Sequence, residues 1–201
     1  RPAFACLYAP PVTGMGMAVA GTNEAVSPET LVEIAQAFSP RYERHDGTLV
    51  SGALVSMDVS GLERLMAPRG AAGETATVWR TIGQELQRMA HEKRVRVHVA
   101  VAGTRVAALV LAHARPGLTV VPPGDEAQAL AAVPLELLGV VVEHVLPTVP
   151  AGGAQSQRRQ AERRHVEAVG VTTFRRWAVR TLGELAALPA ADLTARLGRP
   201  A

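Results

Sequence analysis

Residues 54–65 read LVSMDVSGLERL. Leu54 to Met57 have the apolar character of a buried strand, and Asp58 stands at its end. Ser60-Gly61 then turn the chain into a short helical segment. One acid at the end of one strand is a weak signal, so the flanks carry the argument. Upstream, Asp46-Gly47 is a hairpin turn signal between a strand over Arg41–His45 and a return strand over Thr48–Val59. Gly52 inside the return strand marks a bulge or an irregular start.

Further out, Ser27-Pro28-Glu29 begins a helix, with serine at the N-cap, proline at N1 and an acid in the first turn. Leu31, Ile34, Ala35 and Phe38 follow at helical spacing, and Pro40 closes the element. Residues 3–8, AFACLY, form an apolar run that suits a buried strand, and Pro10-Pro11 ends it. The stretch 9–26 reads as a loop. After a second loop at 68–73, a helix is expected over Thr75–Lys93, with Val78, Ile82, Leu86 and Met89 on one side. Val95, Val97, Val99 and Val101 alternate, so 95–103 reads as a strand, with His98 on its other face as a satisfied or exposed histidine. Thr104 caps a helix to Ala114, Leu118–Val121 is a strand, Asp125 opens a short helix to Ala132, and Pro134–Leu138 opens another. This β, α, β-hairpin, α, β, α, β, α order points to an α+β sheet with helices on one face.

A Pro/Gly/Ala/Gln-rich linker follows over 146–157. Beyond it come a basic helix over Arg158–Ala168, short helices over Thr172–Trp177 and Thr181–Leu188 joined at Ala178-Val179-Arg180, and a last helix starting at Pro189 and Asp192.

With 201 residues, 48% of them hydrophobic and 19% charged, the chain has enough apolar surface to bury a core, which argues against bulk disorder. Cys6 is the single cysteine, so neither a disulfide framework nor a thiolate metal cluster is available, which fits a reducing cytoplasm. No apolar run approaches the roughly 18 residues of a membrane-spanning helix. The chain starts at Arg1 and not Met, as a fragment of a longer protein would. Charge is uneven: residues 1–154 hold 12 basic and 14 acidic groups, and residues 155–201 hold 9 and 4. The basic end is either a face for a polyanion or a solvated arginine-rich helix.

Three blocks in order, VSMDVSGLERL, then VRVHVAVAGTRVAALVLAHARPG, then RRWAVRTLGELAALP, resemble the Y-family translesion DNA polymerases of the UmuC/DinB-like superfamily. They look most like the non-catalytic ImuB-type branch of bacterial inducible-mutagenesis cassettes. The likeness covers residues 3–8 and 27–198. It implies a ferredoxin-like polymerase palm with a mostly antiparallel sheet over 1–145. It further implies a small helical thumb with a helix-hairpin-helix over 158–201, with the fingers reduced or absent in 9–26 and no little finger.

The resemblance also implies what catalysis would need. Nucleotidyl transfer uses two Mg²⁺ ions, which want several oxygen ligands. Active members supply an acid at the end of the first strand and an Asp-Glu pair on the hairpin strand. Here FACLYAPPV holds no carboxylate, Asp58 matches the Asp of the pair, and Val59 replaces its Glu. Glu63 matches a further acidic position and is read as a surface or structural residue. Pro10-Pro11 takes the place of a sugar-screening aromatic, Thr104-Arg105 that of an Asn-Lys, and Leu109 that of a second Lys. The expectation is a protein with no metal, no cofactor and no nucleotide incorporation, with Asp58 as the one residual family carboxylate.

What would remain is sequence-independent, weak DNA binding through Arg175, Arg176, Arg180, Thr181 and Gly183 at the hairpin, with Arg158 and Arg159, and also Arg163 and Arg164, adding charge. The family often has Gly at the position of Ala178, and Trp177 is read as core. By resemblance the partners are DNA, a replicative-type mutagenic polymerase, a RecA-like accessory protein and the sliding clamp. An active error-prone polymerase and a truncated vestigial product are the alternatives.

Overall fold

The computed structural model describes residues 2–11, 27–45, 52–66, 75–137, 171–189 and 191. The Asp46-Gly47 turn, most of the 9–26 loop, the 146–157 linker, the basic helix with Arg158 and Arg159, and the last helix lie outside the described residues.

A five-stranded sheet runs β2-β3-β1-β4-β5, built from β1 (Phe4–Ala9), β2 (Tyr42–His45), β3 (Ala53–Asp58), β4 (His98–Ala102) and β5 (Leu118–Val120). The pairs β2/β3, β3/β1 and β1/β4 are antiparallel, whereas β4/β5 is parallel. The protein is thus a mixed α+β fold. Its first strand lies at the centre of the sheet, which explains why AFACLY is apolar without alternation: both its faces are covered.

On one face, Ala5, Leu7, Ala9, Val55, Met57, Val99 and Val101 pack against α1 (Pro28–Phe38) and α3 (Thr75–Glu92). The start of α1 is as the sequence predicts, with Pro28 in its first turn and the Ser27 hydroxyl accepting the Glu29 amide. Helix α3 buries Val78, Ile82 and Leu86 as expected, and also Trp79, whose side chain is fully buried and widens the apolar stripe.

Helices do not stay on one face, and that expectation is corrected. Cys6, Tyr8, Leu54, Ala100 and Ala102 line the opposite face under α4 (Arg105–Ala114). Helix α4 buries six consecutive residues, Ala107 to Ala112, because it sits between the sheet and the segment that includes Ala129 and Leu130. Its position follows from the parallel β4/β5 pair, which needs a crossover between its strands.

Strand β4 begins at His98, three residues later than the valine alternation predicts. The Val95 amide bonds to the Ala90 carbonyl to finish α3, and Arg94 takes a left-handed φ of 57°. β1 offers partners only from Tyr8 opposite His98 onward.

After β5 comes α5 (Glu126–Ala131). The helix start expected at Pro134 gives way to a bridge between Pro134 and Thr181. The Leu135 amide donates to the Arg180 carbonyl at 2.8 Å and the Leu182 amide to the Val133 carbonyl at 2.9 Å. A tertiary partner therefore claims these backbone groups before a local helix does. Residues 171–176 are helical, and α6 (Leu182–Ala186) follows the short connection. Among the described residues, no helix is long and apolar enough to cross a membrane.

Candidate nucleic-acid interface and the Asp58 turn

Asp58 closes β3 as a turn-former. Its Oδ1 accepts the Ser60 amide at 2.9 Å and its Oδ2 accepts Arg41 Nη1 at 3.0 Å. The Ser60 hydroxyl accepts the Ala3 amide at 2.9 Å, and the Ser39 hydroxyl donates to the Asp58 carbonyl at 2.6 Å. Gly61 completes the turn with φ of 89°, the conformation that glycine adopts without steric cost. The carboxyl is held below the usual range, first by hydrogen bonding to the Ser60 side chain, then by the Ser60 amide and the Arg41 charge, while partial burial opposes them.

The register places this carboxylate opposite Phe4, at the beginning of β1. The end of β1, Ala9, pairs instead with Ala53. Five residues of strand separate the two ends, about 17 Å. The end of β1 is packed and apolar. A side chain at Gly52, itself at φ of 83°, would meet the Ala9 carbonyl oxygen at 2.3 Å and Tyr8 at 3.0 Å. The Tyr8 ring lies 3.9 Å from that of His113 and edge-on to His98 at 5.7 Å. His98 Nδ1 sits 3.2 Å from the Ala112 carbonyl, a satisfied histidine whose pKa burial pushes down. Among the described residues, no three His, Cys, Asp or Glu side chains come together as a metal-binding group.

Other residues matched by resemblance have structural places. Thr104 is the N-cap of α4, its hydroxyl accepting the Ala107 amide at 3.3 Å. Arg105 pairs with Glu43, and Leu109 is wholly buried. Glu63 opens a short helix, α2 (Glu63–Met66).

The basic residues of 171–184 divide sharply. Arg175 is exposed, yet its Nε and Nη2 both reach Glu136 Oε1, at 3.0 and 2.6 Å. That contact holds the Glu136 carboxyl below its ordinary range, chiefly through the Arg175 hydrogen bond. Arg176 and Arg180 are exposed, and neither side chain meets a carboxylate among the described residues. Thr181 is half-buried and caps α6, its hydroxyl accepting the Glu184 amide at 3.2 Å. Glu184 Oε2 in return accepts the Arg180 amide at 2.6 Å and the Thr181 amide at 3.2 Å. Of the hairpin amides expected to face phosphate, those of Arg180 and Thr181 are therefore occupied by a carboxylate, and that of Leu182 by the Val133 carbonyl.

Gly183 likewise faces inward: an added Cβ would lie 2.8 Å from both the Cβ and the carbonyl oxygen of Ala131. Ala178 takes a left-handed φ of 61°, the conformation usually left to glycine. Trp177, expected in the core, is half-buried and packs edge-on against Phe174 at 5.6 Å, at the side of a small cluster with Leu135 and Val179. The Thr181-to-Glu184 spacing is a capping box that the sequence displays openly. Glu136 carries no comparable signal, since it stands 39 residues from the arginine it binds.

No family model matches the chain. No curated protein matches it either. Among solved structures it is similar to a chain titled "Dbh Ternary Complex (substrates partially disordered)", with a TM-score of 0.42 and 15% identity. That match covers 85% of this chain and 40% of the other, so it spans less than half of that neighbour's length.

Proposed function

We propose that this protein is a non-catalytic relative of the Y-family polymerases, acting in DNA repair and translesion synthesis as a DNA-docking scaffold. The β1-α1-β2-β3-α3-β4 path with strand order β2-β3-β1-β4 is that of a ferredoxin-like palm and supports the reading. The two short helices within 171–186 support reading this part as a thumb with a helix-hairpin-helix.

One observation carries the non-catalytic part. The end of the central strand, where an active palm presents its first acid, holds Tyr8 and Ala9, and among the described residues the family-type carboxylate on the hairpin strand, Asp58, lies about 17 Å away along the strand. Two divalent ions about 4 Å apart need several carboxylates converging on one place. Asp58 instead spends its oxygens on Ser60 and Arg41.

DNA docking falls to the exposed guanidiniums of Arg176 and Arg180, which offer charge and no base readout. By the same resemblance, the partners are a mutagenic polymerase, a RecA-like accessory protein and the sliding clamp. None of these is assigned to a residue.

Fluorescence anisotropy with labelled primer-template DNA across a salt series tests the reading, alongside primer extension with Mg²⁺ or Mn²⁺. The expected result is salt-sensitive binding that Arg176→Ala/Arg180→Ala weakens, with a logarithmic salt slope shallower by about 1.8. No primer growth is expected. Growth lost in Asp58→Ala would favour an active polymerase, and no binding at low salt would favour a vestigial product.

A further inference from the structure

Three arginines lie within six residues on the 171–186 unit, and they are not equivalent. Arg176 and Arg180 project into solvent. Arg175 is bound through two nitrogens to a single oxygen of Glu136, in the segment that bridges to Thr181. We infer that Glu136 acts as an internal counter-ion that holds Arg175 out of the DNA contact, making it an autoinhibitory residue for the docking face. The inference rests on the DNA-docking reading above and adds a regulation to that same face.

The physical argument has two parts. A phosphate approaching Arg175 must first displace a carboxylate held by two charge-assisted hydrogen bonds. Once displaced, that carboxylate stays tethered beside the incoming phosphate and repels it. An exposed pair of this kind is weak in stability terms, so removing it leaves the fold intact. It still decides which guanidiniums are available to a polyanion. The pair is also well placed to be relieved, because Glu136 and Arg175 are about half exposed, with side-chain exposures of 46% and 58%.

The experiment compares the whole chain with Glu136→Gln, Arg175→Ala and the double variant, by anisotropy of fluorescein-labelled primer-template DNA from 50 to 200 mM salt. Freeing one arginine adds one phosphate contact. The Glu136→Gln variant is expected to bind more tightly, with a salt slope steeper by about 0.9. Its advantage over wild type then shrinks about 3.5-fold across that salt range. Arg175→Ala combined with Glu136→Gln removes the pair without changing net charge and is expected to bind as wild type does, whereas Arg175→Ala alone leaves Glu136 uncompensated and is expected to bind no more tightly than wild type.

Glu85→Gln is the charge-matched control, since Glu85 pairs with Arg88 on α3, away from this unit. Equal gains from Glu85→Gln and Glu136→Gln would reduce the effect to net charge and overturn the inference. So would an Arg175→Ala/Glu136→Gln double variant that binds more weakly than wild type, or a Glu136→Gln variant that binds unchanged; either result leaves DNA docking standing. Absence of binding by every variant at low salt would overturn the docking reading and this inference with it.

Discussion

Asp58 shows how one side chain exchanges an expected role for another. Its position at a strand end suits a metal ligand, but its two oxygens close a turn and pair with Arg41. Its folded-state pKa is lowered, so the stabilisation is complete above the unfolded value near pH 4 and is lost as pH falls through the folded one. Asp58→Asn keeps an acceptor for the Ser60 amide and removes the charge. Urea denaturation should show it less stable than wild type by about 1 kcal/mol at pH 7. The gap should narrow as pH falls through the folded-state pKa, and a gap that does not change with pH would assign the loss to geometry instead of charge. Ala178 offers the opposite case, a residue at φ of 61° where glycine is at ease. Ala178→Gly is expected to raise stability by about 0.5–1 kcal/mol, read as a higher urea midpoint with unchanged slope. A lower midpoint would mean that the alanine methyl group has packing value.

At the scale of elements, the 171–186 unit is joined to the sheet domain by backbone pairing and by small-residue contact. The Pro134–Thr181 bridge is the hydrogen-bonded part. Gly183 against Ala131 is the packed part, where α6 and the end of α5 approach closely. A methyl group at Gly183 would meet backbone atoms that cannot yield without moving α5 or α6. Gly183→Ala is therefore expected to cost about 1–3 kcal/mol and to raise the rate of proteolytic cleavage within 171–188. Wild-type protease resistance in that variant would show that the two helices tolerate separation. Elements also explain which predicted boundaries hold. Helix α1 follows its signals because capping by Ser27 is local, satisfied within two residues. The segment at Pro134 does not, because the Leu135 amide and the Val133 carbonyl bond to residues more than forty positions away.

At the scale of the whole molecule, β1 at the centre of the sheet is enclosed by two separate apolar layers. Burial on both faces pushes the Cys6 thiol far up and leaves it inert, consistent with a packing role. The charge distribution adds a direction: the net positive charge resides in residues 155–201, and the described part of that stretch exposes Arg176 and Arg180. Counterion release makes any polyanion contact there depend steeply on salt, which is why the salt series separates a docking face from a merely solvated one.

Read from the amino-acid order alone, the mixed α/β alternation, the helix starts at Ser27 and Thr104, the buried character of AFACLY and the lack of acids in the first strand are all legible. Each depends on nearest-neighbour chemistry: capping, periodicity, residue type. The register of Asp58 against Phe4, the placement of α4 on the second face, the inward turn of Gly183 and the capture of Arg175 by Glu136 come only with the tertiary structure. They depend on which distant strand or side chain arrives as partner, and a local pattern does not encode that choice. The candidate site divides along the same line. The basic residues are visible in the sequence, but whether each guanidinium or amide is available depends on a carboxylate delivered by the fold.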